Sequence, residues 1–123
     1  MSSWPDHFPE NCPPDSAVPV TGIVYRFVDN LEEIDFFSFY DLDPTKNWGN
    51  ACKARGLSVF RSQEVTESMA AILPSLRRKQ LAKAELTAGD GVIGHTPSRN
   101  TAEHYTFWPL LSKENLVLKF QLH

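Results

Sequence analysis

Residues 22–28 (GIVYRFV) alternate in the manner of a strand, with Ile23, Tyr25 and Phe27 on one face and Val24, Arg26 and Val28 on the other. Residues 80–86 repeat the alternation, Ala82, Ala84 and Leu86 opposing Lys83 and Glu85. Residues 116–122 carry the sharpest alternation of all. There Leu116, Leu118, Phe120 and Leu122 oppose Val117, Lys119 and Gln121, so the pattern predicts a closing strand. A shorter apolar run, LSVFR at 57–61, predicts another strand.

Between these runs the period lengthens. In LEEIDFFSFY (31–40), Leu31, Ile34 and Phe37 recur every third residue, and Phe36, Phe39 and Tyr40 widen the stripe while Ser38 falls outside it. Asn30 followed by Glu33 has the spacing of a helix start, so a short helix over 31–40 is expected. A helical turn over 47–55 would end at Gly56. Ser62 can cap a helix whose apolar positions are Val65, Met69, Ile72 and Leu73, and Pro74 ends it or starts another turn. Gly89, Asp90 and Gly91 form a turn into VIGHTP. Five of the nine prolines fall in residues 1–19, which read as an extended, ordered arm. The sum is one α+β domain over 1–123, with a mixed or antiparallel sheet and two to three short helices.

Composition narrows the class. With 123 residues, 41% of them hydrophobic, the chain can build one core, and no apolar run approaches the ~20 residues of a membrane span. The net charge of −3 conceals an asymmetry: residues 1–43 carry −8, 44–88 carry +5, and 89–123 are neutral. Opposite charge on successive thirds suits a protein partner or self-association. A general nucleic-acid binder would be net positive. Arg77, Arg78, Lys79 and Lys83, with Lys53 and Arg55, form the one local patch suited to a polyanion, and the ordinary account of it is a solvated helix end. The start of the chain is acidic and proline-rich where a secretory signal would be basic and then apolar. Cys12 and Cys52 are therefore expected as reduced thiols in a cytoplasmic protein.

Candidate chemistry concentrates in residues 94–109 (GHTPSRNTAEHYTFWP), whose polar density excludes it from the core and sends it to a loop or a cleft. Arg99 and Thr106 could hold a phosphate or carboxylate, and His95 or His104 could move protons near neutral pH. As an exposed loop, the same segment would use its histidines on local backbone. His104-Tyr105-Thr106 matches half of a paired His-x-Thr arrangement, but His95 and Thr96 are adjacent, one residue out of step. Nothing in the spacing asks for a metal or any other cofactor. Arg26 is the only base of the acidic third and lies on an apolar face. It must reach the sheet edge or pair, either with Asp35, Asp41 or Asp43 or with a bound anion.

The order ENCPP, VYRFV, CKARGLSVFRS, GHTP and HYTFWP resembles a group of small bacterial proteins of uncharacterised activity, over most of the chain. Tyr25-Arg26 on an early strand and Ser58 of GLSVFRS on a later one are also similar to the ADP-ribosyltransferase-like and RES-type domains. That resemblance implies NAD as the ligand, held by Tyr25, Arg26 and Ser58. The glutamate such transferases carry near their end has no counterpart here, which would leave the chemistry to His95 or His104. Two functions follow as expectations: a non-catalytic domain binding a protein or a small anionic ligand, or an NAD-consuming, nucleotide-processing enzyme.

Overall fold

The computed structural model describes residues 4–123. Seven strands form one antiparallel sheet: β1 (Val18–Pro19), β2 (Gly22–Val28), β3 (Leu57–Phe60), β4 (Gln80–Leu86), β5 (Gly91–His95), β6 (His104–Pro109) and β7 (Gln121–Leu122). Their order across the sheet is β1-β5-β6-β3-β2-β4-β7. Four short α-helices accompany it among the described residues: α1 (Phe39–Leu42), α2 (Gln63–Ile72), α3 (Pro74–Arg77) and α4 (Lys113–Lys119). The domain is α+β, and the sheet is antiparallel rather than mixed.

The alternations at 22–28 and 80–86 become β2 and β4, paired along their whole length from Gly22–Leu86 to Val28–Gln80. Val24, Val28, Ala82, Ala84 and Leu86 are buried beside Leu57, Val59, Ile93 and Phe107 from the other strands. Phe36, Leu116 and Phe120 cover this face, and the Phe36 and Phe120 rings lie 5.1 Å apart. Burial of such side chains contributes roughly 1.5–3 kcal/mol each.

The closing strand expected over 116–122 is instead mostly helix. Ser112 accepts the Asn115 amide and caps α4, and Leu116 and Phe120, four apart, turn inward together. Leu118, predicted to share their face, is 77% exposed, and only Gln121–Leu122 remain as a strand. The helix expected over 31–40 is also broken. Leu31 has a positive φ of 61°, a 3-10 turn covers Glu33–Phe36, and Ser38 then caps α1. Ser38 is buried by that role, while Ile34, expected on the apolar stripe, is 60% exposed.

Cys12 and Cys52 form a disulfide across 40 residues, with Cα atoms 5.4 Å apart. This overturns the expectation of reduced thiols: the arm folds back onto the segment before β3 and brings the two cysteines within bridging distance. Arg55 secures the arm again. Its Nε donates to the His7 carbonyl, and its guanidinium lies 4.1 Å from the centre of the Tyr40 ring. No helix among the described residues is long and apolar enough to cross a membrane.

Candidate functional site

β2 and β3 are neighbours in the sheet but share one register pair, Tyr25–Phe60. Beyond it the strands part, and the Arg26 side chain takes over where ladder hydrogen bonds would have run. Its Nη1 donates to the Ser58 carbonyl at 2.8 Å, and Nε and Nη2 both donate to the Asp35 carbonyl, at 3.0 and 2.7 Å. The expected ion pair is not formed. The Asp35 carboxylate is occupied by the amides of Asp29, Asn30 and Glu32, so Arg26 meets the main chain of Asp35 instead. Burial lowers the Arg26 pKa to about 10, with Asp35 opposing that fall.

The parting strands open a cavity of about 630 Å³. Its polar wall comprises Arg26, Ser58, His104, Ser98 and Asn100, with Lys79 and Ser38 at other points of the lining. Its apolar wall comes from Phe37, Phe39 and Leu42 on one side and Met69, Leu73 and Leu76 on the other. No carboxylate lines it among the described residues.

β3 and β6 bring Ser58 and His104 together. The register places Phe60 opposite His104 and Ser58 opposite Thr106, so both polar side chains share the face that α2 covers. His104 is buried, 5.6 Å edge-on from Phe60. Its Nδ1 lies 2.8 Å from the Thr96 carbonyl, an atom that only accepts, so Nδ1 carries the proton. Nε2 is then the acceptor, and the Ser58 hydroxyl donates to it at 2.9 Å. Behind the ring, the Thr96 and Thr106 hydroxyls are 2.7 Å apart. Gly56 permits this closeness, because a Cβ there would run into the Thr106 methyl and the Trp108 indole.

Of the residues singled out by sequence, Arg26, Ser58 and His104 line one cavity. Thr106 is buried behind it and supports Thr96. Tyr25 faces away from Arg26, packed edge-on against His123 at 6.0 Å. His95 is exposed and bonded to the Ala102 carbonyl, because strand alternation sends it and His104 to opposite faces. Arg99 is exposed, between the lining residues Ser98 and Asn100. The polar density of 94–109 is thus a hairpin, and burial of His104 and Thr106 corrects the expectation that such residues stay out of the interior. Sequence reasoning missed Lys79 as a lining residue; it stands immediately before β4, and the pairing of Gln80 with Val28 at the end of β2 brings it there.

His104 and His7 both have pKa values below the ordinary 6.5. Burial is the main cause in each. Lys53 adds to it at His104 against the opposing Thr96 bond, and Arg55 adds to it at His7. The unfolded chain therefore binds protons first. This stability is whole above pH 6.5 and is lost as pH falls from there through the folded values. We expect the melting temperature to drop by a few degrees between pH 7 and 5, and His104→Gln to remove part of that slope. An unchanged slope in that variant would locate the proton uptake elsewhere.

Among the described residues, no three His, Cys, Asp or Glu side chains gather as a metal site. Comparison with family models, with curated proteins and with solved structures finds no match for this chain.

Proposed function

We propose that the chain is a binding domain for a small anionic ligand, whose phosphate or carboxylate enters the cavity and meets Arg26. One observation carries this reading. A guanidinium sits in the wall of a 630 Å³ cavity, held by three hydrogen bonds to uncharged carbonyls, with no carboxylate in contact. Three of its five N–H groups are used in this way, which leaves two for a ligand. The absence of lining carboxylates keeps the potential there positive.

The enzymic reading, an NAD-consuming or nucleotide-processing activity, draws support from the meeting of Arg26 and His104 at Ser58. Of the two candidate proton carriers, only His104 is at the cavity. Of the two strand residues the transferase resemblance pairs, only Arg26 is there. Protein association through opposite charges has one fewer free contact, since Lys79 of the basic third already pairs with Asp29 of the acidic third at 3.0 Å. The expectation of a cytoplasmic protein rested on the acidic, proline-rich start of the chain and carried reduced thiols with it; the bridge instead suits an oxidising compartment.

Thermal melts with pyrophosphate, AMP, ADP-ribose and NAD test the binding. A ligand at a hundredfold excess over its Kd stabilises by about 2.7 kcal/mol, several degrees in a domain of this size. No shift with any of the four would sink the reading. A shift confined to NAD and ADP-ribose, with nicotinamide released from NAD, would favour the enzyme.

A further inference from the structure

The pair at the back of the cavity has the connectivity of an activated serine. We propose that Ser58 is a nucleophile and His104 its general base, and that the cavity hydrolyses small carboxylic esters with an apolar acyl group. The activity goes beyond binding; it rests on the cavity being a ligand site and does not require the anion at Arg26.

Three features support it. The tautomer is fixed: Nδ1–H is committed to the Thr96 carbonyl, so the Nε2 lone pair faces the Ser58 hydroxyl at 2.9 Å. Thr96 acts as the orienting group, and its own hydroxyl is held by Thr106 at 2.7 Å, so the imidazole cannot swing to another partner without breaking this chain. Ser58 and His104 both line the cavity, and the apolar wall of Phe39, Leu42, Leu73 and Leu76 offers an acyl group a surface out of water.

In the first step the Ser58 Oγ forms a bond to the ester carbonyl carbon, and its proton passes to His104 Nε2. The intermediate collapses with cleavage of the carbon–oxygen bond to the leaving alcohol, which takes the proton from Nε2. Water then attacks the acyl-serine with the same base, releasing the acid and restoring the Ser58 hydroxyl. The Arg26 cation, bonded to the main-chain carbonyl of Ser58, lines the same cavity and favours the negative charge that develops on the ester carbonyl oxygen.

Incubation with a fluorophosphonate, followed by intact mass and peptide mapping, tests the nucleophile. The folded protein should gain one adduct, at Ser58, and the urea-unfolded chain none. Ser58→Ala should abolish it, Ser75→Ala should not, and His104→Gln should slow labelling at least ~100-fold. Hydrolysis of p-nitrophenyl butyrate should fall in parallel. No adduct on the folded protein, or one on a different serine, overturns the proposal. So does labelling in His104→Gln at the wild-type rate. Should that variant not fold, labelling no faster in the native than in the unfolded wild type overturns it equally. Anion-dependent thermal shifts that persist in Ser58→Ala would leave the binding reading standing when this one fails. Labelling of Ser58 without any anion shift would do the reverse.

Discussion

Arg26→Met is expected to abolish the anion-dependent rise in melting temperature while changing the stability of the ligand-free protein by no more than about 2 kcal/mol. Two effects nearly cancel in the empty protein. The substitution leaves the Asp35 and Ser58 carbonyls without their present donor, at about 1–3 kcal/mol each where water cannot replace it. Ser58 lines a cavity large enough to admit water, which puts its carbonyl toward the lower end. Against this, the wild type holds a desolvated cation. A pKa lowered to about 10 from the ordinary arginine range means that folding disfavours the charged form by roughly 3 kcal/mol. The unfolded chain binds this proton more tightly, so the penalty is present at every pH below about 10 and is relieved only as pH rises from there toward the ordinary arginine range. Methionine removes it, and a bound anion offsets it, which is why the effect on binding is the larger one. Loss of the forked, charge-assisted contact, two bonds at about 1.5–3 kcal/mol each, should weaken pyrophosphate at least ~100-fold, and Arg26→Lys, which keeps charge without the fork, should restore only part. A thermal shift in Arg26→Met equal to the wild type would place the anion elsewhere. A collapse of the ligand-free protein would make Arg26 a structural tie between β2 and β3.

Local pattern was legible wherever one period fitted. In β2 and β4 the alternation, the buried face and the anomalous Arg26 on that face could all be read before the structure. Residues 116–122 fitted two periods at once, since Leu116 and Phe120 satisfy both alternation and the four-residue step of a helix. Ser112 decided the matter by capping α4, a signal outside the apolar run. The site was half legible for a related reason. Arg26, Ser58 and His104 could each be suspected from type and place, but their meeting depends on the register of β3 against β6 and on where β2 and β3 part. Ser58 and His104 are 46 residues apart, and neither register nor a gap in a ladder is written in the local sequence. The same holds for the asymmetric charge. Lys79–Asp29 joins the basic and acidic thirds, yet Lys113–Asp41 and Lys119–Asp90 draw in the neutral third, so segment charge gave no map of the contacts.

Reducing the Cys12–Cys52 bridge, or replacing both residues by serine, is expected to lower the stability by about 4 kcal/mol. That is the loop-closure entropy returned to the unfolded chain by opening a cross-link of 40 residues. For a domain whose total is about 5–15 kcal/mol this is a large share, and the melting temperature should fall by roughly 10–15 °C. The arm would not detach at once, because Arg55 still holds the His7 carbonyl and the Tyr40 ring, and β1 still pairs with β5. The effect should nevertheless reach the cavity. The Cys52 carbonyl accepts the Trp108 indole N–H at 3.0 Å, and the chain runs from there through Gly56, pressed against Trp108, to Ser58. Loosening that segment frees the end of β3 that carries the proposed nucleophile and accepts from Arg26. Thus the reduced protein, assayed below its own melting temperature, should show a smaller anion shift and slower fluorophosphonate labelling than the oxidised one. Melts run with and without reductant, with mass spectrometry confirming two added hydrogens, check both parts. An unchanged melting temperature in the reduced protein would refute the cross-link as a stabilising element. A lowered melting temperature with undiminished labelling would confine its influence to the arm.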